Sequence, residues 1–245
     1  MTQSKVELEL FNRLPSSTEV IFDIGTRDDV DYLKIKPNCS YYLFEPNSAH
    51  FQSLKRKVSE FSSSKIYCLP IGFSNRSELN ATYYRCTESF VQHWQGLSRD
   101  EGDKFDLYLL DEFIQSNQIK KIDFLKTDCE QMDHLVVEGG LDSIEKIGVS
   151  YIQCECSDID VLSPLLPGYK QFIIMDEAFV YAITSDSRIK DKIFFSCELS
   201  LLHMVEEVKQ FLKSEVFPLA YGCNLLFVRH GVDFNNLFFN ISEYT

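Results

Sequence analysis

Residues 19–25 read EVIFDIG, residues 41–46 read YYLFEP and residues 122–130 read IDFLKTDCE. Each is an apolar run that ends in acid: Asp23, Glu45, and the pair Asp128 and Glu130. A run that is apolar at nearly every position, not at alternate ones, suits a central parallel strand covered on both faces. In an open α/β sheet, ligands bind outside the carboxyl ends of the strands. An acid at the tip of the second strand, about 20 residues past the first, is placed to accept the two ribose hydroxyls of a nucleoside. The three stretches therefore predict a parallel α/β sheet with an adenosine-containing cofactor at its carboxyl edge.

Outward from these stretches, strands and helices alternate as in βαβ units. Ser4 and Glu7 form a capping-box pattern, and Val6, Leu10, Phe11 and Leu14 have helical spacing, which predicts an N-terminal helix within residues 1–17. Short and longer helices are expected over 28–36 and 48–61, the second with Phe51, Leu54, Val58 and Phe61 on one face. KIYCLPI (65–71) reads as strand three, and the β-rich ELNATYYRC (78–86) as an extended excursion. LDEFIQSNQ (110–118) reads as a helix, KIDFLKTD (121–128) as strand four, QMDHLVVEGG (131–140) as a helix closed by glycines and KIGVSYIQCEC (146–156) as strand five. KQFIIMDE (170–177) and FVYAIT (179–184) suggest a hairpin, LLHMVEEVKQFL (201–212) an amphipathic helix and CNLLFVRH (223–230) a last strand. One domain over 1–245 is expected, with the segments 84–104 and 157–200 as loops that set acceptor specificity.

The net charge of −13 argues against a nucleic-acid partner, because that affinity comes largely from Lys and Arg displacing counterions. No apolar stretch approaches the roughly 18 to 20 residues of a membrane-spanning helix, so no membrane partner is expected. MTQSKVELEL has neither the basic region nor the apolar core of a signal peptide, which makes a cytoplasmic location the expectation. The eight cysteines are scattered without zinc spacing and read as buried free thiols. Sequons at Asn38, Asn75, Asn80 and Asn240 then have no glycosylation to receive. Oligomeric state is not legible.

In DIGTRDD (23–29), Gly25 allows a tight turn where strand one enters its helix, so that the following amides approach a ligand closely. The later glycines of a dinucleotide-binding turn are missing, and a pyrophosphate would meet carboxylates. S-adenosylmethionine carries no phosphate but a sulfonium and an ammonium, so an acidic turn suits it. For Glu45, ribose hydroxyls and a neighbouring basic side chain both remain possible partners.

The succession of DIG, FEP, the IGFSNRS turn (71–77) and the block from LDEF to EGG (110–140) resembles the FkbM family of S-adenosylmethionine-dependent methyltransferases. Leu110, Asp111, Ile122, Asp123, Phe124, Lys126, Asp128, Glu130 and Gly139 fall into the family's places, and the match spans roughly residues 19 to 157 with a final strand at 223–229. Gln131 stands where the family has glycine, and Asp133 where it has glutamate. The resemblance implies a class I methyltransferase fold, a seven-stranded mostly parallel sheet with helices on both faces. It also implies methyl transfer from S-adenosylmethionine to a hydroxyl of a sugar or glycan. Its cofactor contacts would come from Asp23, Gly25, Thr26, Glu45, Pro46, Ile71, Gly72 and Asp128.

A sugar hydroxyl needs a base before it attacks, and a carboxylate or His at the methyl end can serve. Asp128 is the first candidate, Glu155 at the end of strand five the second, and His93 in the loop before strand four the third. Strand alternation puts Lys126, Asp128 and Glu130 on one face, where Lys126 can also simply neutralise Asp128. Asp128 and Glu155 without a His are weak metal ligands, and no metal is expected. Two other readings remain open: a nucleotide-dependent oxidoreductase, disfavoured by the missing phosphate turn, and a non-catalytic cofactor-binding protein that keeps the fold.

Overall fold

The strand that carries Asp23 sits at the centre of the molecule. β1 (Val20–Ile24) pairs in parallel with β2 (Ser40–Phe44) on one side and with β8 (Phe124–Thr127) on the other. The computed structural model describes residues 5–61, 65–86, 89–91, 103–129, 132–155, 159–175, 223–234 and 237. Beyond β2 lies β3 (Ile66–Leu69), and beyond β8 lies β9 (Tyr151–Glu155), both parallel to their neighbours. The last strand, β11 (Cys223–Arg229), runs antiparallel between β9 and β10 (Tyr169–Met175). The seven-stranded order is thus β10-β11-β9-β8-β1-β2-β3, the mostly parallel sheet that the resemblance implies. The chain leaves β1 toward one edge and returns at β8 toward the other, which makes the β1/β8 boundary the topological switch point where such sheets bind ligands.

Strict alternation sorts side chains onto two faces. Phe22, Ile24, Leu125, Ile152, Cys154, Leu225 and Phe227 pack against one set of helices: α3 (Leu110–Ser116), α4 (Asp133–Glu138), α5 (Leu141–Ile147) and α6 (Ile159–Leu165). Ile21, Leu43, Phe124, Tyr151, Leu226 and Val228 pack on the opposite face with Leu10, Phe11, Leu14 and Leu54, from α1 (Lys5–Arg13), its following turn and α2 (Ser48–Val58). Phe11 of α1 stacks on Tyr32 at 4.4 Å and meets Phe124 at 5.0 Å. Tyr32 lies in a single 3₁₀ turn, Asp31–Lys34, within the helix expected over 28–36.

The expected excursion after strand three is a second, four-stranded sheet in the order β4-β7-β5-β6. It comprises β4 (Gly72–Ser74), β5 (Glu78–Cys86), β6 (Ser89–Val91) and β7 (Asp103–Leu109). The ends of the segment 84–104, expected as loop, are therefore strand. Their aromatic and β-branched residues fit a pleated surface better than a polar loop, and 87–88 and 92–102 lie outside the described residues. In the segment 157–200, α6 replaces expected loop, while β10 is the first strand of the expected hairpin and pairs with β11. FVYAIT and the helix expected over 201–212 lie outside the described residues. Among the described residues no helix is long and apolar enough to cross a membrane.

The family pattern at 110–140 has a packing explanation. Asp111 accepts the Ser143 N–H at 2.7 Å while its own N–H donates to the Gly139 carbonyl at 2.9 Å, which joins the starts of α3 and α5. A Cβ on Gly139 would lie 2.1 Å from the Ser74 carbonyl oxygen, so the glycine allows α4 to rest on β4.

Candidate functional site

At the carboxyl end of β1 the chain turns at Gly25, whose φ is +83°. A Cβ there would stand 2.1 Å from the Asp128 carbonyl oxygen, so the ends of β1 and β8 meet backbone to backbone. The N–H groups of Gly25 and Thr26 both donate to the Phe44 carbonyl, at 2.9 and 3.1 Å, which ties the turn to the end of β2. Thr26 is buried, with its hydroxyl on the Asp23 carbonyl at 2.7 Å.

Glu45 follows β2 and is 5% exposed. Its Oε2 accepts the Arg27 N–H at 2.9 Å and its Oε1 the Asn47 N–H at 2.8 Å. Burial pushes its carboxyl up to about 7, against the pull of those two N–H groups. Each carboxylate oxygen keeps a second lone pair for a donor such as a hydroxyl. Its partners are thus backbone amides at the switch point, one of the two alternatives left open by the sequence being an ion pair. Gly72 packs under Pro46, where a Cβ would come within 3.4 Å of the proline Cγ, and Ile71 joins the adjoining core. Asp28 is turned toward α2, with Ser53 at 2.8 Å and Lys57 at 3.2 Å. Burial opposes its charge, but these partners hold its carboxyl below the ordinary range.

Asp23 is the last-but-one residue of β1 and is fully buried. The registers Asp23↔Lys126 and Lys126↔Gln153 put these three in one row across the sheet, flanked by Leu43 and Leu226. Tyr32 donates to Asp23 Oδ2 at 2.5 Å. Lys126 Nζ lies 3.6 Å from Asp23 Oδ1, 3.4 Å from Glu7 Oε1 and 3.3 Å from Asp128 Oδ2. Gln153 Nε2 donates to Glu7 Oε1 at 3.2 Å. Among the described residues, Asp23 Oδ1 and Gln153 Oε1 are buried without a hydrogen-bond partner. Burial pushes the Asp23 carboxyl up to about 6, opposed by Lys126 and the Tyr32 hydroxyl. Burial also opposes the Lys126 charge, but Asp23, Glu7 and Asp128 overcome it and hold the ammonium well above its ordinary value.

Asp128, just past β8, is the member of this cluster that reaches the surface: its side chain is 43% exposed, against 5% for Lys126 and 0% for Asp23. Its N–H donates to the Ile24 carbonyl at 2.9 Å, extending the β1/β8 pairing by one residue. The turn beyond is closed by Asp133, fully buried, which accepts the Cys129 N–H at 3.3 Å. Glu155 closes β9 two residues past Gln153, the partner of Lys126, and is paired on its other side with Asn224. Glu130, His93 and Trp94 lie outside the described residues. Among the described residues no group of three His, Cys, Asp or Glu side chains gathers as a metal ion would require.

Glu7, Tyr32 and Gln153 carry no site expectation in the sequence, where Glu7 reads only as the acid of a capping box. Glu7 had a signal: with Leu10, Phe11 and Leu14 it completes the i, i+3, i+4, i+7 stripe that α1 buries. Gln153 had one too, as the polar residue between Ile152 and Cys154 in a run otherwise fit for the core. Nothing in the sequence marks Tyr32 as the partner of Asp23.

The methyltransferase FkbM domain model matches residues 23–162 of the chain. The structure is similar to the methyltransferase FkbM from Methylobacillus flagellatus KT, at 15% identity and a TM-score of 0.48 over 65% of this chain. The match spans 40% of the length of that protein. It is also similar to an rRNA methylase from Streptococcus thermophilus, at 6% identity and TM-score 0.45 over 91% of this chain and 93% of the other. A precorrin-6y C5,15-methyltransferase from Geobacter metallireducens GS-15 is similar at 11% identity and TM-score 0.42, over 71% and 80% of the two chains. No curated protein matches the chain.

Proposed function

Because the chain belongs to the FkbM family of methyltransferases, whose methyl donor is S-adenosylmethionine, we propose that it transfers a methyl group to a hydroxyl of a sugar or glycan. The observation that carries this reading is the pair of carboxylates at the switch point, one buried and one open. Glu45 is buried just past β2 with one backbone N–H on each oxygen, and Asp128 is the exposed end of an otherwise buried charge cluster.

The residues fit S-adenosylmethionine. A buried carboxylate pushed up to about 7 is short of donors, and a ribose diol supplies two. The sequence predicts amides at this turn that a ligand could approach, but those of Gly25, Thr26 and Arg27 are bonded to Phe44 and Glu45 and the glycine makes room for the Asp128 carbonyl, so the turn offers no phosphate cradle. When bound, the cofactor presents a methyl carbon activated by its sulfonium. The protein then has to align the acceptor and remove its proton. In this reading Glu45 holds the ribose, the turn 25–27 packs against the nucleoside, and Pro46, Ile71 and Gly72 shape the adjoining wall. Asp23 contributes its charge from below through Lys126. Asp128, or Glu155 at the end of β9, takes the proton of the acceptor hydroxyl. His93 is the alternative base from the segment before β7.

The charge of −13 favours a neutral saccharide over a polyphosphate acceptor. Free thiols at Cys39 and Cys68 support a reducing, cytoplasmic setting. Isothermal titration tests the reading: S-adenosylmethionine should bind at micromolar Kd and NAD should not, and tighter binding of NAD would overturn it.

A further inference from the structure

The segment matched by the family model begins at Asp23, yet the charge cluster under the switch point is completed from outside it. Glu7, on α1, places Oε1 3.4 Å from Lys126 Nζ and accepts from Gln153 Nε2 at 3.2 Å, and its side chain is 10% exposed. An ammonium has three N–H donors. Lys126 has three carboxylates around it: Glu7 from the helix, Asp23 from β1 and Asp128 at the mouth, with contacts of 3.4, 3.6 and 3.3 Å. The first two are almost sealed from water, and the third is open.

We propose that Glu7 is a positioning residue for the cofactor site: by sharing the Lys126 ammonium with Asp128, which accepts from it at 3.3 Å, it leaves Asp128 only partly neutralised and the mouth negative. The proposal rests on the reading that S-adenosylmethionine binds at this switch point. Two carboxylates below balance more than the single positive charge of Lys126, so the cluster presents negative potential to a cation. If Glu7 loses its charge, the ammonium is shared by Asp23 and Asp128 alone, and the mouth becomes less negative. The cofactor and its product differ there in one respect that matters: S-adenosylmethionine carries a sulfonium charge and S-adenosylhomocysteine does not. Glu7 is therefore a device that favours donor over spent product, contributed by a helix outside the matched segment.

The test is titration of both ligands into the full chain and its variants. Glu7→Gln keeps the shape and an acceptor for Gln153. It should weaken S-adenosylmethionine roughly three- to ten-fold and S-adenosylhomocysteine less than about two-fold, the scale of one charge acting through a partly shielded medium. Introduced into an Asp128→Asn background, Glu7→Gln should lose that selective effect, because the two act through one lysine. Glu9→Gln, on the same helix and paired with Arg13 at 2.7 Å, should leave both affinities unchanged. If the neutral variant does not fold, Glu7→Asp, which withdraws the charge from Nζ by one methylene, should show a smaller loss with the same selectivity. Equal losses for the two ligands, or none, overturn the proposal while S-adenosylmethionine binding by the unaltered chain leaves the functional reading intact. An unaltered chain that binds neither ligand overturns both.

Discussion

Arg27 donates its backbone N–H to the Glu45 carboxylate at 2.9 Å, so the turn after β1 is held in place by the acid that ends β2. The same carboxylate accepts from Asn47, whose side chain caps α2 through the N–H groups of Ala49 and His50. Glu45 thus joins the turn, the end of β2 and the start of a helix before any ligand arrives.

Replacing Glu45 by Gln should therefore cost more than a ribose contact. S-adenosylmethionine affinity should fall by about 1.5 to 3 kcal/mol, the range for hydrogen bonds to a charged group, in a variant that still melts cooperatively. Unchanged affinity would leave Glu45 with the structural task alone.

The buried acids give cofactor-free protein an unusual pH dependence. Glu45 is displaced from 4.5 to about 7, so between those values the folded chain holds a proton that the unfolded chain has released. Stability falls as pH rises through that window, on the order of 3 kcal/mol for this one group. Asp23, displaced from 3.8 to about 6, acts in the same direction over a lower window. Urea unfolding at pH 5 and pH 8 should show the loss, and Glu45→Gln should lessen it. Because ribose donors favour the charged carboxylate, S-adenosylmethionine affinity should rise with pH through 7, and a flat profile would count against the ribose contact.

Asp128→Asn should keep S-adenosylmethionine affinity within about ten-fold but lower turnover by about 100-fold or more once an acceptor is found, the usual scale for a general base. Loss of cofactor binding would instead assign Asp128 to the ligand's amino-acid end, and near-normal turnover would transfer the role to Glu155 or His93.

Gly25→Ala should be severe for a purely geometric reason. The new Cβ would stand 2.1 Å from the Asp128 carbonyl oxygen, in a backbone conformation of φ +83° that L residues rarely adopt. Either β1 and β8 separate at their carboxyl ends or the turn refolds, and thermal unfolding should show a loss of at least about 3 kcal/mol. An alanine variant with wild-type stability would mean that the strand ends are looser than these contacts imply.

The parallel strands were legible because EVIFDIG, YYLFEP and IDFLKTD are apolar where a doubly covered strand must be, and punctuated by acid and glycine where it must stop. α5 and α6 were not, because a helix of seven residues offers scarcely two turns of periodicity, and Pro164 argues against the second. Glu45 and Asp128 could be picked out because strand ends are positions that periodicity locates. The row formed by Asp23, Lys126 and Gln153 could not, since it depends on the register of three strands far apart in the chain. Nor does anything in Asp23 itself tell that Tyr32 covers it.

The placement of β11 has a consequence for synthesis on the ribosome. This strand enters between β9 and β10 and hydrogen-bonds to both, so until residues 223–229 emerge the two earlier strands lack the partner that joins them. During that interval each carries an open edge, the kind of surface on which chains pair with one another. A chain interrupted anywhere between Met175 and Cys223 would carry that hazard permanently, with its proposed cofactor residues all already made.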